Sequence, residues 1–434
     1  MKLDFPLLLL LLVMPLASRA QATSASSPYS NFRLGNGLEV VVFEEHSTPF
    51  VRLDLVFKAG AIAQGPDNAG QFHLLEHLLL EGEGSSIGPE MERIAALDWN
   101  GETSSESLSF RTTIPSSVIE EGLGLWGRLV LRAAFAPEAF EAAREKVVEE
   151  TVAQLSDPAR IYEGAMTRRL FPKYPWRRDP AGSPTSIAAA SPEGLAKLKA
   201  TWIVPGNAAL VIVGDVDMTT IRAATDSAFG SWKAAPNPWK ATLPPQPKLG
   251  AARPTWFFLA DPKIPEGMAL AEIRYRGPDL VSDLPASMAA DLWTALVADR
   301  EGRMAKALAA GVPGIRAEAR IEYLTQKEGG LVSVNAALDI GKPGSLLDQV
   351  RAFKEGFRGN EVASMRNNPA YFSQGDFAVA RDRLLAGRAD SMDSIDGRAA
   401  ELGFAWASAS LDYYLQFEAK VAATGPKEVG AFLD

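Results

Sequence analysis

The order of strand and helix patterns repeats on the two sides of a proline-rich segment, and this repetition limits the folds open to the chain. Residues 233–254 are rich in proline, poor in aliphatic residues and without a periodic pattern, which is typical of a linker. A similar succession of strands and helices is predicted before and after this segment, so the sequence indicates an internal duplication. We therefore predict an α+β fold of two similar domains, each a mainly antiparallel sheet with helices packed on one face.

Hydrophobic periodicity and turn residues give the individual elements. In the first half, strands are predicted at 38–43, 51–57, 108–114 and 208–214, and helices at 71–80, 117–134, 137–155 and 218–232. In the second half, strands are predicted at 268–275, 315–323 and 331–338, and helices at 286–309, 346–356 and 376–389.

The N-terminus predicts export. A lysine at position 2, an apolar stretch at 5–17 and small residues at positions 18, 20 and 22 form the pattern of a secretory signal that is cleaved after Ala20 or Ala22. An uncleaved membrane anchor is the alternative, but about 13 apolar residues are short for a membrane span. We expect a signal peptide at 1–22, a periplasmic location and no membrane attachment after cleavage. The predicted domains are then a catalytic domain at 23–232, the linker at 233–254 and a degenerate homologous domain at 255–434.

Composition excludes several classes of function. The net charge is −9 and the basic residues form no long runs, which argues against binding to nucleic acid or to an anionic membrane. The absence of cysteine excludes disulfides, thiolate metal ligands and a cysteine nucleophile. Catalysis would then depend on carboxylates, hydroxyls, amines or one of three histidines.

Two of those histidines flank a glutamate in the sequence His73-Leu-Leu-Glu-His77. On a helix, His73, Glu76 and His77 project from one side because they are three or four residues apart. Two imidazoles at this spacing can hold one Zn²⁺ ion, and the carboxylate beside them can accept a proton from water that the metal activates. The motif is the inverted zinc motif H-x-x-E-H. The third histidine, His46, follows a predicted strand and is interpreted as a surface residue.

A catalytic zinc site needs a third protein ligand, which here must be an acidic residue. The predicted helix 137–155 carries Glu145, Glu149 and Glu150. Glu149 lies nearly opposite the apolar side of this helix, so periodicity disfavours it. Periodicity does not decide between Glu145 and Glu150.

At these motifs the sequence resembles the insulinase/pitrilysin family of zinc metallopeptidases, which includes the mitochondrial processing peptidase. Residues 70–82, Gly-Gln-Phe-His-Leu-Leu-Glu-His-Leu-Leu-Leu-Glu-Gly, are similar to the metal-site helix of that family. Residues 144–151, Arg-Glu-Lys-Val-Val-Glu-Glu-Thr, are similar to the segment that ends in its third ligand. The resemblance implies that His73, His77 and Glu150 bind one Zn²⁺ per chain and that Glu76 is the general base. The second half resembles the family only in pattern and lacks the zinc motif.

The same resemblance implies a substrate-binding strand. Asn100, Gly101, Glu102 and Thr103 occupy the place of an Asn-Ala-x-Thr edge strand that pairs with extended substrates in the family. Pairing through backbone groups gives affinity with little sequence preference. Asn100 can equally be an ordinary turn residue before a strand.

Three departures from the family shape the expected partners. An Arg and a Tyr that bind substrate in the second domain of many members are replaced here by Ala309 and Arg316. Arg316 and Tyr323 are seven residues apart, like the Arg and Tyr of the family. In that alignment, however, Tyr323 falls in a later predicted strand. The second half has no H-x-x-E-H motif, as expected of the degenerate domain. The chain ends at Asp434, where the family continues into a final strand, so either the C-terminus is cut short or the last sheet lacks a strand.

The sequence thus predicts an exported zinc metalloendopeptidase that hydrolyses peptides or unfolded segments. Its expected partner is a homologous chain that lacks H-x-x-E-H and carries the Arg and Tyr; a homodimer is the alternative. Two other functions are open at this point: a non-catalytic peptide-binding or assembly subunit of the same family, and a zinc hydrolase with a non-peptide substrate.

Overall fold

The computed structural model describes residues 28–81, 87–131, 135–173, 175, 179–239, 257–316, 319–340 and 345–434. The predicted signal peptide (1–22) and most of the predicted linker (233–254) lie outside the described residues, so the domain boundaries stay predictions. Among the described helices, none is both long and apolar enough to cross a membrane.

The first half contains a six-stranded sheet. Its strands are β1 (Tyr29–Arg33), β2 (Glu39–Glu44), β3 (Phe50–Phe57), β4 (Asp98–Thr103), β5 (Leu108–Pro115) and β6 (Ala208–Gly214). They lie in the order β1-β2-β6-β3-β5-β4, and every neighbouring pair is antiparallel except β2–β6. β6 is buried over its whole length because it lies inside the sheet and carries aliphatic side chains towards both faces. β4 lies at one edge of the sheet.

Eight helices accompany this sheet in the described part of the first half. They are α1 (Gln71–Glu81), α2 (Gly88–Arg93), α3 (Ile119–Leu131), α4 (Pro137–Leu155), α5 (Pro158–Leu170), α6 (Pro184–Ala188), α7 (Pro192–Trp202) and α8 (Met218–Phe229). Four of them begin with proline, which is suited to the first turn because the backbone N–H it lacks would have no helical partner. Their apolar sides and one face of the sheet enclose the main hydrophobic core, which includes Phe57, Phe72, Phe110, Trp126 and Phe229.

The described part of the second half contains a three-stranded antiparallel sheet in the order β7-β9-β8. Its strands are β7 (Met268–Arg276), β8 (Arg320–Leu324) and β9 (Leu331–Asp339). Its helices are α9 (Leu284–Val297), α10 (Arg303–Gly311), α11 (Leu346–Lys354), α12 (Ala363–Asn367), α13 (Gln374–Ser391), α14 (Ile395–Ser408), α15 (Leu411–Ala423) and α16 (Pro426–Leu433). A π-helical segment, Glu355–Val362, joins α11 to α12.

The predicted fold class, α+β with two similar domains and mainly antiparallel sheets, is confirmed. The helices of the first half pack on one face of the first sheet, as predicted. The opposite face is covered by the second half. Leu402 and Trp406 of α14 and Tyr414 of α15 join a cluster with Val41 and Val211 of that sheet.

Two predicted elements differ from the structure by more than a few residues at one end. The helix predicted at 286–309 is interrupted between α9 and α10 because the N–H of Gly302 bonds to the carbonyl of Asp299 and forms a turn. The strand predicted at 315–323 begins only at Arg320; before it, Ile315 forms an isolated bridge to Leu338.

Candidate metal centre and the edge strand beside it

Helix α1 presents the predicted metal motif because its other side is anchored in the hydrophobic core. The fully buried apolar side chains of α1 are Phe72, Leu74, Leu75, Leu78 and Leu79. This anchoring leaves the side chains of His73 and His77 on the side that faces α4, 15% and 13% exposed. Gly70, just before α1, has a φ of +78°, and a Cβ there would lie 2.6 Å from the Cα of Gly182. Glycine at position 70 therefore allows the segment 179–182 to pass close to the start of α1.

Helix α4 brings Glu150 to the two imidazoles. The Nε2 atoms of His73 and His77 lie 3.1 Å apart, and Oε2 of Glu150 lies 3.5 Å from each of them. Four ligands in a tetrahedron with bonds of 2.0–2.1 Å stand about 3.3–3.4 Å apart. The three observed separations match that spacing, so the donor set fits a zinc ion. Glu145 and Glu149, the other two acidic candidates, are exposed on α4.

Burial favours the protonation state that binds a metal. It lowers the pKa of both His73 and His77, so the imidazoles are neutral at neutral pH and offer a lone pair. At the rim, Oε1 of Glu81 lies 3.6 Å from Nδ1 of His77 and accepts a hydrogen bond of 2.7 Å from Nζ of Lys146. A carboxylate beside a ligating histidine orients its ring, and Glu81 stands in that position.

Glu76 lies between the imidazoles and the edge strand β4. It is only 7% exposed, and its Oε2 accepts a hydrogen bond of 2.6 Å from the hydroxyl of Thr103. Burial raises the pKa of Glu76 to about 7, while the hydrogen bond from Thr103 opposes this rise. A carboxyl group of this kind is suited to accept and return a proton near neutral pH.

The predicted substrate-binding residues form β4 and alternate in their surroundings. Gly101 is buried against Glu76, and Thr103 bonds to it. Asn100 and Glu102 are exposed, and Oε2 of Glu102 accepts a hydrogen bond of 2.8 Å from Arg111 of β5. The resemblance implied an edge strand here, and β4 does lie at an edge of the described sheet. The contact of Thr103 with Glu76 was not predicted.

Two open cavities flank Glu76 along the edge strand. The larger, about 440 Å³, has an apolar wall formed by Leu80, Ile87 and Trp99. The smaller, about 240 Å³, lies beside His73 and is lined mainly by polar groups. These include Glu102, Thr103, Gln154, Arg160 and Asp179. The arrangement therefore leaves space on both sides of the candidate general base for an extended molecule.

The remaining sequence candidates lie elsewhere. Arg316 pairs with Asp339, Nε to Oδ2 at 2.6 Å, and Ala309 is an exposed residue of α10. The hydroxyl of Tyr323 bonds to the carbonyl of Pro278 and to Ser287 of α9. His46 is exposed and pairs with Asp215.

Two models of known protein families match this chain. Residues 39–181 match the family model "Insulinase (Peptidase family M16)", and residues 189–362 match "Peptidase M16 inactive domain". The metal motif, Glu150 and β4 all lie in the first of these regions. The region matched as the inactive domain begins after them.

Three relatives illustrate the similarity. The probable zinc protease PqqL of Haemophilus influenzae is 27% identical over 198 residues, which are 43% of this chain and 21% of that protein. The crystal structure of a protease from Helicobacter pylori covers 93% of this chain and 95% of its own, with a TM-score of 0.76 and 15% identity. The crystal structure of the periplasmic protease PqqL from Escherichia coli covers 94% of this chain and 46% of its own, with a TM-score of 0.68 and 16% identity.

The matches differ in extent. This chain spans about one fifth of the Haemophilus relative and less than half of the Escherichia coli structure, whereas the Helicobacter structure has nearly the same extent. Two models of one family together match most of the chain. The chain belongs to the insulinase family of peptidases, family M16.

Proposed function

We propose that this protein is an exported zinc metalloendopeptidase, in which His73, His77 and Glu150 hold one Zn²⁺ ion and Glu76 is the general base. The observation that carries the proposal is the convergence of two imidazoles and one carboxylate at ligand spacing, with the buried carboxyl group of Glu76 lining the same cavities. The names of the zinc proteases to which the chain is similar support the choice of metal.

The chemistry follows from the placement of Glu76. Bound zinc would supply positive charge that activates water and polarises a peptide carbonyl. Glu76 accepts the proton of the attacking water and returns it to the nitrogen of the departing amine, so the carboxylate is regenerated after each cleavage. Its low exposure keeps bulk water away from this proton, and Thr103 holds one of its oxygens.

The substrate is proposed to be an extended peptide or an unfolded segment. β4 is the edge of the sheet beside Glu76, and an edge strand can pair with an added strand through backbone hydrogen bonds. Asn100, Gly101, Glu102 and Thr103 supply that edge, and the two cavities provide room for side chains on either side of the cleaved bond. Folded proteins are poorer substrates because they offer few free extended segments.

The site of action is proposed to be the periplasm. The support is the signal-like N-terminus together with the likeness to a protease described as periplasmic. A homologous partner chain is also proposed, and its test is described in the Discussion.

The test is a cleavage assay on a mixture of unstructured peptides, followed by mass spectrometry over long incubations. We expect cleavage that stops when a chelator removes zinc and returns when zinc is added back. The assay is repeated with the homologous chain added, if one is found. Peptides that bind but stay intact under all these conditions would instead support the non-catalytic peptide-binding subunit. Cleavage of non-peptide substrates alone would support the second alternative, a zinc hydrolase that does not act on peptides.

A further inference from the structure

The carboxyl group of Glu76 rests against the backbone of β4. A Cβ placed on Gly101 would lie 2.5 Å from Cγ, 2.8 Å from Cδ and 2.7 Å from Oε1 of Glu76. The missing side chain at position 101 therefore makes the space in which the carboxyl group lies. From this position its Oε2 reaches the hydroxyl of Thr103, two residues further along the strand.

Electrostatic forces alone would not keep the carboxyl group there. The negative charges of Glu102 and Glu150 act against a charge on Glu76, and each acts more strongly than the opposing positive charge of Arg111. The side chain of a glutamate also has several rotamers of similar energy, so an orienting contact is needed to select one. A short hydrogen bond between a hydroxyl and a carboxylate is among the stronger contacts available for this purpose.

Thr103 is well placed to provide this contact because the chain beyond it is held on several sides. The carbonyl of Ser104 accepts a hydrogen bond from the N–H of Ala61, and the N–H of Ser104 bonds to the carbonyl of Ser107. Glu106, in the same turn, is buried and accepts hydrogen bonds from the backbone N–H groups of Lys327 and Glu328 in the second half. The turn that follows β4 is thus fixed by both halves of the chain.

We infer that Thr103 is a positioning residue that holds the carboxyl group of Glu76 in the orientation needed for proton transfer, through its hydroxyl and in the space left by Gly101. This inference rests on the proposed function for its consequence in catalysis. The side chain of Thr103 then orients Glu76, the proposed general base. The backbone of Thr103 remains part of the edge that pairs with a peptide.

The kinetic test compares Thr103→Val, which keeps the shape and removes the hydroxyl, with Thr103→Ser, which keeps the hydroxyl. We expect Thr103→Val to lower kcat by ~10-fold to ~10²-fold, because small misplacements of a catalytic group have effects of this size. KM and zinc content should change little, and Thr103→Ser should recover most of kcat. A rise in KM without a fall in kcat would overturn the inference.

Thr112→Val is the matched control. Thr112 lies on the neighbouring strand β5, is fully buried and donates a hydrogen bond of 2.7 Å to the carbonyl of Asp98. Removing the hydroxyl of Thr112 tests whether the loss of any buried hydroxyl from this sheet lowers turnover. We expect Thr112→Val to lower the unfolding temperature and to leave kcat unchanged. Equal losses of kcat in Thr103→Val and Thr112→Val would reduce Thr103 to an ordinary structural residue.

A second readout does not depend on activity. In crystal structures of the two variants, we expect the carboxyl group of Glu76 to leave β4 in Thr103→Val and to stay in Thr103→Ser. An unmoved carboxyl group in Thr103→Val overturns the inference even if kcat falls. If the wild-type protein cleaves no peptide, the proposed function fails, and the crystal structures still decide whether Thr103 positions Glu76.

Discussion

At the scale of single residues, the metal centre depends on which acidic side chain of α4 completes the site. His73→Ala and His77→Ala should each abolish stoichiometric zinc binding, because each removes one of the three proposed protein ligands of a four-coordinate ion. Glu150→Gln should weaken binding strongly, since an amide is a poorer ligand for zinc than a carboxylate. Metal analysis of the purified variants measures this directly.

Glu149→Gln is the control for Glu150→Gln because it removes the same charge from the adjacent, exposed position on α4. We expect it to retain about one zinc ion per chain. Full zinc occupancy in the double variant His73→Ala/His77→Ala would refute the site. Zinc loss in Glu149→Gln with retention in Glu150→Gln would mean that the third ligand is misassigned by one residue.

Glu76→Gln separates metal binding from proton transfer. The amide has nearly the same shape as the carboxyl group and can still accept the hydrogen bond from Thr103, but it cannot accept a proton at neutral pH. We therefore expect zinc to stay bound while kcat falls by at least ~10²-fold, the usual contribution of a general base. Turnover close to that of the wild type, with zinc present, would place the general base elsewhere.

At the scale of elements, the sequence predicts what local signals mark and misses what packing decides. The limits of α4 and β6 follow from Pro137, Asp157-Pro158 and Gly214, and the structure reproduces both. The turn between α9 and α10 was missed because Val297 and Met304 are seven residues apart, which fits two turns of one continuous helix, although Gly302 lies between them. The approach of Thr103 to Glu76 was also missed, since it joins an edge strand to a helix 27 residues away and only the assembled sheet creates it.

The third ligand illustrates the same limit. The periodicity of α4 disfavours Glu149, but the choice between Glu145 and Glu150 depends on how far α4 is shifted along α1. That shift is set by side-chain packing between the two helices, which one sequence does not display. The resemblance to the insulinase family pointed to Glu150, and the structure places Glu150 beside the imidazoles. Its role as a ligand stays a prediction until zinc is measured.

Helix α9 carries a partly buried acid that should make stability depend on pH. Asp291 is packed near Tyr323 and Tyr413 and accepts a hydrogen bond of 3.2 Å from Thr325. Burial raises the pKa of Asp291 from 3.8 to about 7. Between these values the folded state holds a proton that the unfolded state releases, so the free energy of unfolding falls as the pH rises from about 4 to 7.

Asp291→Asn should remove this dependence. The amide oxygen can still accept the bond from Thr325, and no charge has to be buried at pH 8. We expect the variant to be more stable than the wild type at pH 8, by a few kcal/mol at most, since one pKa unit corresponds to ~1.4 kcal/mol. The advantage should disappear below about pH 4. Urea unfolding at several pH values measures it, with Asp390→Asn on the exposed side of α13 as the control. A stability difference that does not vary with pH would contradict this account.

At the scale of the whole molecule, polar contacts tie the two halves together around the site. Arg52, which is buried on β3, pairs with Asp396 of α14 at 2.9 Å. Arg274 of β7 donates a hydrogen bond of 2.8 Å to Glu163 of α5. Glu106 binds the turn between β8 and β9. Because buried charges are costly to leave unpaired, these contacts favour one relative placement of the halves and so a fixed position for β4.

The whole molecule is predicted to act together with a homologous partner chain. The resemblance to the insulinase family implies an Arg and a Tyr that bind substrate from a second domain, and their places hold Ala309 and Arg316 here. Arg316 is paired with Asp339, and the hydroxyl of Tyr323 is bonded to Pro278 and Ser287, so neither is directed by these contacts to a substrate. Two copies of this chain would then offer two metal sites and no substrate clamp of that kind.

A homologous chain that has lost H-x-x-E-H but kept the Arg and Tyr would complement this one. Because the loss of transition-state contacts typically lowers the rate ~10²-fold to ~10³-fold, we expect the chain alone to cleave peptides slowly and the mixture to cleave them faster by about that factor. The experiment is to find an exported homologue of this description encoded nearby, mix the purified chains, and measure molecular mass by light scattering together with peptide cleavage. Glu76→Gln in this chain should abolish the gain, which shows whose metal site is used. If no mixed species forms and the chain alone is as fast as the mixture, the partner is refuted, and Arg316 and Tyr323 become the residues to mutate next.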